Sequence, residues 1–484
     1  MAKQGSSKSG GKQCVNLDFL REAMEWVFDG NIFHNLKRHG NAKWVAEPLA
    51  MLAVLWVWSD NACLTGAFHE ACTWSKQLFG SVAVGSYQVL TTALVTYGGQ
   101  LIPMTWSRLH YLMEQVGGEH WRIGQWLPLA VDGSRCSTPR TKANENAFRA
   151  PNYGKSKKAK ARKKKAKNRR KKKKQTDAKS VTPQIWITLL WHMGMRLPWS
   201  WKLGPSNSSE RDHFKEMLRE QKFPKFTLFC GDAGFTGYDL WKLIIDEGHS
   251  FLMRIGSNVR LLKKLGYYAR EREEIVYVWP DSAASKNQPP LTLRLIHLKG
   301  EQGDVNLLTN VLKSQDLSDA QAARMYRLRW GIELQFRTLK QTFGRRKLRS
   351  RTPDHAYAEL EWSLIGLWIV QLFAVKEQII IGEPPSQTSA ALALRVIRQM
   401  LLFGREVSED DEDMTTLLQD AVVDTYDRSS KKQGRYNPRK KDIPSAGKPE
   451  IIRATAEHKR KLKVIVYRSR AGRDSGGGVG AVRC

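Results

Sequence analysis

The sequence predicts an α/β protein in which a central domain of strands and helices follows a helical region and precedes a second helical region with a basic tail. Three observations carry that expectation. Two apolar runs of strand length each end in an aspartate, Asp132 in LAVDGSR and Asp232 in LFCGDAGF. An amphipathic helical pattern, YRLRWGIELQFRTLK, carries Glu333. The 484 residues, 41% hydrophobic, supply a sizeable core and enough length for roughly two to four domains.

Each segment follows in order. Residues 1–15 are polar and rich in Gly, Ser and Lys, a composition expected to stay disordered. Residues 16–125 read as mostly helical, with apolar residues crowding 17–27 and 47–58. The stretch from Gly98-Gly99 to Pro103 predicts a break before the pattern resumes over 105–116. A helical DNA-binding module and a helical packing domain both fit that region. The α/β domain spans 126–376. Its strands are expected at 126–131, 183–192, 195–203, 226–231 and 250–255, with helices at 209–221, capped by Ser208 or Ser209, and at 238–247, stopped by Gly248. Residues 257–310 read as a β-rich insertion with strands at 273–279, 291–298 and 306–309. One long helix is expected over 317–343, and another, strongly apolar, over 356–376. A helical region then covers 377–428, and the basic remainder, 429–484, is expected to be mostly disordered. Leaving out the insertion, this order of elements is that of an RNase H-like domain.

Charge narrows the partners. The formal net charge is +32, and neutralising phosphates with such an excess releases counterions and drives nucleic-acid binding. Residues 155–174 alone hold 15 Lys or Arg in 20 positions and no acid. Such a block repels itself and stays open unless it meets a polyanion. A membrane partner is not expected, because no apolar run approaches the ~18 to 20 residues of a span. The N-terminus lacks the apolar stretch of a signal peptide. Six cysteines without a CxxC pair give neither a disulfide framework nor a zinc ribbon. The expected location is the reducing cytoplasm.

The acids supply the chemistry. If the strands ending at Asp132 and Asp232 are parallel neighbours, their backbones lie about 4.8 Å apart and two carboxylates can share a metal. At about 100° per residue, Tyr326, Arg329, Glu333 and Lys340 fall within an arc of about 60° on one helix, beside an apolar stripe. An ion pair from Glu333 to Arg329 would explain that pair, though not the tyrosine and the second cation. Carboxylates alone suit Mg²⁺, with Mn²⁺ as the alternative, and a pair of such ions clamps the attacking and leaving oxygens of a phosphodiester. Arg329 and Lys340 suit phosphate oxygens, and Tyr326 suits a phosphate, sugar or base.

These residues resemble the DDE transposases of the insertion-sequence-four type. The spacing Tyr326-x2-Arg329-x3-Glu333-x6-Lys340 matches that family's Y-R-E-K signature at all four positions, and KLRSRTPDHAYAELEWSL is similar to the stretch that follows it. GDAGFTGYDL and FLMRIGSN resemble the second motif and its succeeding strand, with Arg254 at the usual arginine. LAVDGSR resembles the first motif. The resemblance implies an RNase H-like core with a β insertion, metal held by Asp132, Asp232 and Glu333, and DNA phosphates bound by Tyr326, Arg329, Lys340 and Arg254. It implies a dimer on double-stranded DNA, both inverted-repeat ends and target, working by cut-and-paste through a hairpin intermediate. It makes Trp279 the candidate to stack on a flipped base, against the alternative of an ordinary strand tryptophan. The run 155–174 is outside the family pattern. A catalytically idle, DNA-binding descendant is the alternative reading.

Overall fold

The computed structural model describes residues 17–29, 31–148, 182–299, 304–403, 414–423 and 447–474. The basic run 155–174 and residues 1–15 lie outside the described residues.

Four helices open the chain: α1 (Leu17–Val27), α2 (Ala46–Trp58), α3 (Leu64–Phe79) and α4 (Tyr87–Gly117). Apolar on every side, α2 is buried along nearly its whole length. The break expected at 98–103 is absent, and α4 runs through Pro103 for 31 residues. Proline's fixed φ suits a helix, so its penalty is a lost hydrogen bond and crowding with the preceding turn. Burial of Leu94, Leu101, Ile102, Leu109, Leu112 and Met113 along the same helix offsets that penalty.

The α/β domain follows with β1 (Leu127–Ser137), α5 (Lys142–Phe148), β2 (Gln184–His192), β3 (Leu197–Pro205), α6 (Glu210–Glu220), β4 (Thr227–Gly231), α7 (Tyr238–Asp246) and β5 (Ser250–Ile255). Then come β6 (Arg260–Lys263), β7 (Ile275–Val278), the single-turn α8 (Asp281–Ala284), β8 (Leu291–Leu298) and β9 (Val305–Thr309). All these strands join one sheet, in the order β6-β7-β8-β9-β5-β4-β1-β2-β3. Strands β1, β2 and β3 are antiparallel neighbours, whereas β4 and β5 run parallel to β1. The order β3-β2-β1-β4-β5 is the RNase H-like core. The insertion does not stand apart, because β9 pairs antiparallel with β5 and carries β8, β7 and β6 outward from it.

The expected long helix over 317–343 is two helices, α9 (Asp319–Leu328) and α10 (Gly331–Gln341). Ser318 starts α9 with a capping box to Gln321. At Arg329 and Trp330 the ladder tightens, with Ile332 N–H donating to the Arg329 carbonyl and Glu333 N–H to that of Trp330. Gly331 lets the chain press against the Trp191 indole, where a Cβ would lie 2.7 Å from ring carbon Cζ3 and nearer still to Cη2. The 3.6-residue wheel therefore does not run unbroken from Tyr326 to Lys340.

Two final helical elements and α11 (Pro353–Ile380) complete the body: α12 (Ala390–Phe403) and α13 (Met414–Gln419). By length and composition α11 is apolar enough to cross a membrane, contrary to expectation, yet 78% of its most apolar window is buried in protein. It packs on α2, α4 and β3 as the core helix joining the two regions. The tail expected to lack structure carries β10 (Glu450–Arg453) and α14 (Ala456–Asp474). Pairing parallel with β6, β10 makes the sheet ten-stranded, and Glu450 meets Arg260 at 3.0 Å.

Candidate active site

Asp132 does not end its strand but sits within it. Toward β2 the pairing runs on through Asp132↔Leu189 to Ser137↔Gln184. Toward β4 it stops at Ala130↔Cys230. Asp232 is the first residue beyond β4, two past Cys230, so the two aspartates occupy equivalent steps of parallel neighbours. Asp132 Oδ1 accepts the Gly133 N–H at 2.8 Å, and Asp232 Oδ1 accepts the Gly234 N–H at 2.7 Å while capping the short turn Ala233–Phe235.

Alternation along β1 puts Asp132 and Ser134 on one side and Gly133 and Arg135 on the other. Helix α10 packs against β1. There Lys340 Nζ donates to Ser134 Oγ at 2.6 Å, two residues beyond Asp132. Burial holds the Lys340 amine below its ordinary value. Further along, Ser137 N–H donates to the Arg346 carbonyl and Leu348 N–H to that of Ser137, so the segment after α10 is stitched to the end of β1. Glu333, at the other end of α10, is exposed.

The electrostatics bring the acids into one field. Burial pushes the Asp132 carboxyl up to about 6; the Gly133 N–H opposes this, the charges of Asp232 and Glu333 add to it, and Arg329 subtracts. Arg329 is only 3% exposed and lies over the rings of Tyr326 and Trp330, at 5.4 and 5.2 Å from their centroids. Burial likewise raises the Tyr326 phenol, while Arg329 and Arg254 pull it back and Asp232 raises it. The Arg254 guanidinium, on β5, lies near the Tyr326 hydroxyl but outside hydrogen-bond geometry. Tyr326 Oη and Arg329 Nε are buried with no partner among the described residues. Buried polar atoms are nearly always satisfied, and a phosphate oxygen is a group that would satisfy both.

Asp132 and Asp232 are thus neighbours, with Arg329, Tyr326 and Arg254 in the same field, whereas Glu333 acts on Asp132 only through its charge and Lys340 is anchored farther along β1. Among the described residues no three acids, histidines or cysteines are close enough to enclose a metal ion. The donors present are nonetheless all carboxylate oxygens, the set a hard divalent cation takes. Trp279 stands elsewhere. Just past β7, it is buried, and its indole N–H donates to the Gln288 carbonyl at 2.8 Å. One edge lines a cavity of about 500 Å³ together with Arg211, Gly237, Tyr238, Arg260 and His458. Of these residues, Gly237 belongs to the segment between Asp232 and α7.

Sequence reasoning missed two neighbours on α6. Ser209, not Ser208, caps that helix. The next residue, Glu210, turns toward the aspartates, and burial, then Asp232, then Asp132 push its carboxyl up to about 7. Arg211 turns into the cavity. In the sequence they are an ordinary charged first turn, and only the packing of α6 on β1, β2 and β3 distinguishes them.

Residues 127–369, from the start of β1 into α11, match the family model of the Transposase DDE domain. A curated relative, transposase InsG for insertion sequence element IS4 from Escherichia coli (strain K12), is 25% identical over 296 residues, 58% of this chain. The match spans 60% of that relative's length, less than two thirds of it. Among solved structures, a piggyBac transposase synaptic complex with hairpin DNA aligns over 83% of this chain and 82% of its own. Its TM-score of 0.39 and 12% identity are too low to bear on the fold. With half of its residues matched by that model, the chain belongs to the Transposase DDE domain family.

Proposed function

We propose that this chain is a DNA transposase that cuts its element's ends and joins them to a target, using Asp132, Asp232 and Glu333 to hold two Mg²⁺ ions, or Mn²⁺ in their place. The observation carrying this reading is the parallel pairing of β1 and β4, which sets Asp132 and Asp232 at equivalent steps, together with the buried and unpartnered Tyr326 Oη and Arg329 Nε. When bound, such ions supply Lewis-acid stabilisation of the attacking and leaving oxygens.

The chain's own residues position the DNA. Arg329 and Arg254 present guanidinium groups to the non-bridging phosphate oxygens, with bidentate contact available. Tyr326 Oη donates to the same group, and Lys340, steadied by Ser134, holds a neighbouring phosphate. Each chemical step is an in-line substitution at phosphorus. A water hydroxyl displaces the first 3′ oxygen, the freed 3′-OH then attacks the opposite strand to make a hairpin, and after hairpin opening it attacks target DNA. Trp279 and Arg211 line the space for a base turned out of the stack, as a hairpin demands. Two copies act together, one per end, and the run 155–174 adds sequence-independent phosphate contact.

The test uses purified protein, Mg²⁺ and the inverted repeats flanking the gene. Wild type should cleave at the repeat tips, and Glu333→Gln should not, while binding the ends within about tenfold because phosphate contact and metal chemistry are separable. Cleavage by Glu333→Gln refutes the assignment. Binding without cleavage by both proteins marks an idle descendant.

A further inference from the structure

The three acids are not the whole carboxylate set. Glu210 reaches them from the far side of β1. Gly133 faces α6, and a Cβ there would collide with Glu210 Oε2 and with Trp186 Nε1 at 3.1 Å. Its missing side chain is the opening through which the Glu210 carboxylate reaches the sheet's end. On the other flank, a Cβ at Gly234 would lie 2.9 Å from Asp232 Oδ1 and 3.2 Å from Glu210 Oε1. Those two oxygens are therefore no more than about 6 Å apart. Two ions about 3.5–4 Å apart, each about 2.1 Å from its oxygens, bridge donors up to about 8 Å apart. Two glycines in the two acidic motifs thus leave room for one glutamate.

We infer that Glu210 is a fourth carboxylate ligand of the divalent-cation centre, entering opposite α10 beside Asp232. This rests on the metal-binding role proposed above for Asp132 and Asp232. Glu333 stands exposed on α10, whereas Glu210 is half-buried against β1, so the two close the centre from opposite sides. Beside it, Arg135 lies over the Trp186 ring at 4.0 Å, where it partly balances the added negative charge.

The experiment titrates the full chain with Mn²⁺ alone, following free Mn²⁺ by electron paramagnetic resonance. Wild type should bind, Asp232→Asn should lose most binding, and Glu210→Gln should raise a Kd at least about tenfold, with its circular dichroism unchanged. Gly133→Ala keeps the glutamate but drives its carboxylate aside, and should weaken binding similarly; it decides the matter if Glu210→Gln fails to fold. Wild-type affinity in both variants, with loss in Asp232→Asn, overturns Glu210 as a ligand and leaves the three-acid reading standing. Unchanged affinity in Asp132→Asn and Asp232→Asn as well overturns both.

Discussion

Replacing Gly331 with alanine tests the link between the helix break and the acidic site. The added Cβ would stand 2.7 Å from Trp191 Cζ3, 2.9 Å from Cζ2 and nearer to Cη2. Ordinary contact begins near 3.4 Å, so α10 must move by at least about 0.7 Å, and more to clear Cη2. Trp191 cannot yield easily, being 1% exposed on a strand paired on both sides. Overpacking of this kind costs typically about 1–3 kcal/mol. The displaced helix carries Glu333 two residues on, and misplacing a reacting group by about 1 Å can lower a rate about 100-fold. Thermal unfolding should show the stability loss, and a single-turnover assay on repeat-tip DNA the rate loss, with end binding nearly unchanged. Trp191→Leu, which removes the offending ring carbons, should recover part of both in the double variant. Wild-type stability and rate in Gly331→Ala would refute the claim that this contact sets the break.

Further outcomes concern pH and the cavity. Asp132 and Glu210 have folded-state pKa values above their ordinary ones, near 6 and 7. Burial, and then repulsion from neighbouring carboxylates, disfavour their charged forms, so metal-free stability is fullest below about pH 4 on their account and is lost as pH rises through about 6 to 7. Melting temperatures of metal-free protein should fall across that window, and Asp132→Asn should flatten the fall; an unchanged slope would place the titration elsewhere. Trp279→Ala should slow hairpin formation more than the first nick in a strand-resolved cleavage assay. Equal slowing of both would make Trp279 a packing residue only.

What could be read from the sequence was local. The strands at β4 and β5 and the helix α7 with its Gly248 stop follow from apolar runs bounded by turn residues, and their edges agree within a residue or two. Asp132 and Asp232 were visible because each follows such a run. The helix break was not, because its cause, Trp191, is distant in sequence and enters only through packing. Glu210 escaped for the same reason: its meaning comes from Gly133 and Gly234, which look like simple turn glycines. Four-residue strands such as β6 carry too little periodicity to be seen, and β10 is hidden in a basic tail whose composition argues against structure. Pro103 shows the reverse error, a strong local breaker overruled by burial along both halves of α4.

The pairing of β10 with β6 has a consequence for how the chain is made. Arg260 pairs with Glu450, so the last strand of the sheet leaves the ribosome long after its neighbour. At about 5–20 residues per second, the delay is roughly 10–40 s. Every strand of the core, and all the acids of the site, have emerged before then. During that interval the nascent sheet exposes the unpaired backbone of β6, a template on which a strand from another chain could add. Once the tail has emerged, β10 covers β6 and becomes the edge strand itself, whereas a truncated copy would keep β6 as its edge.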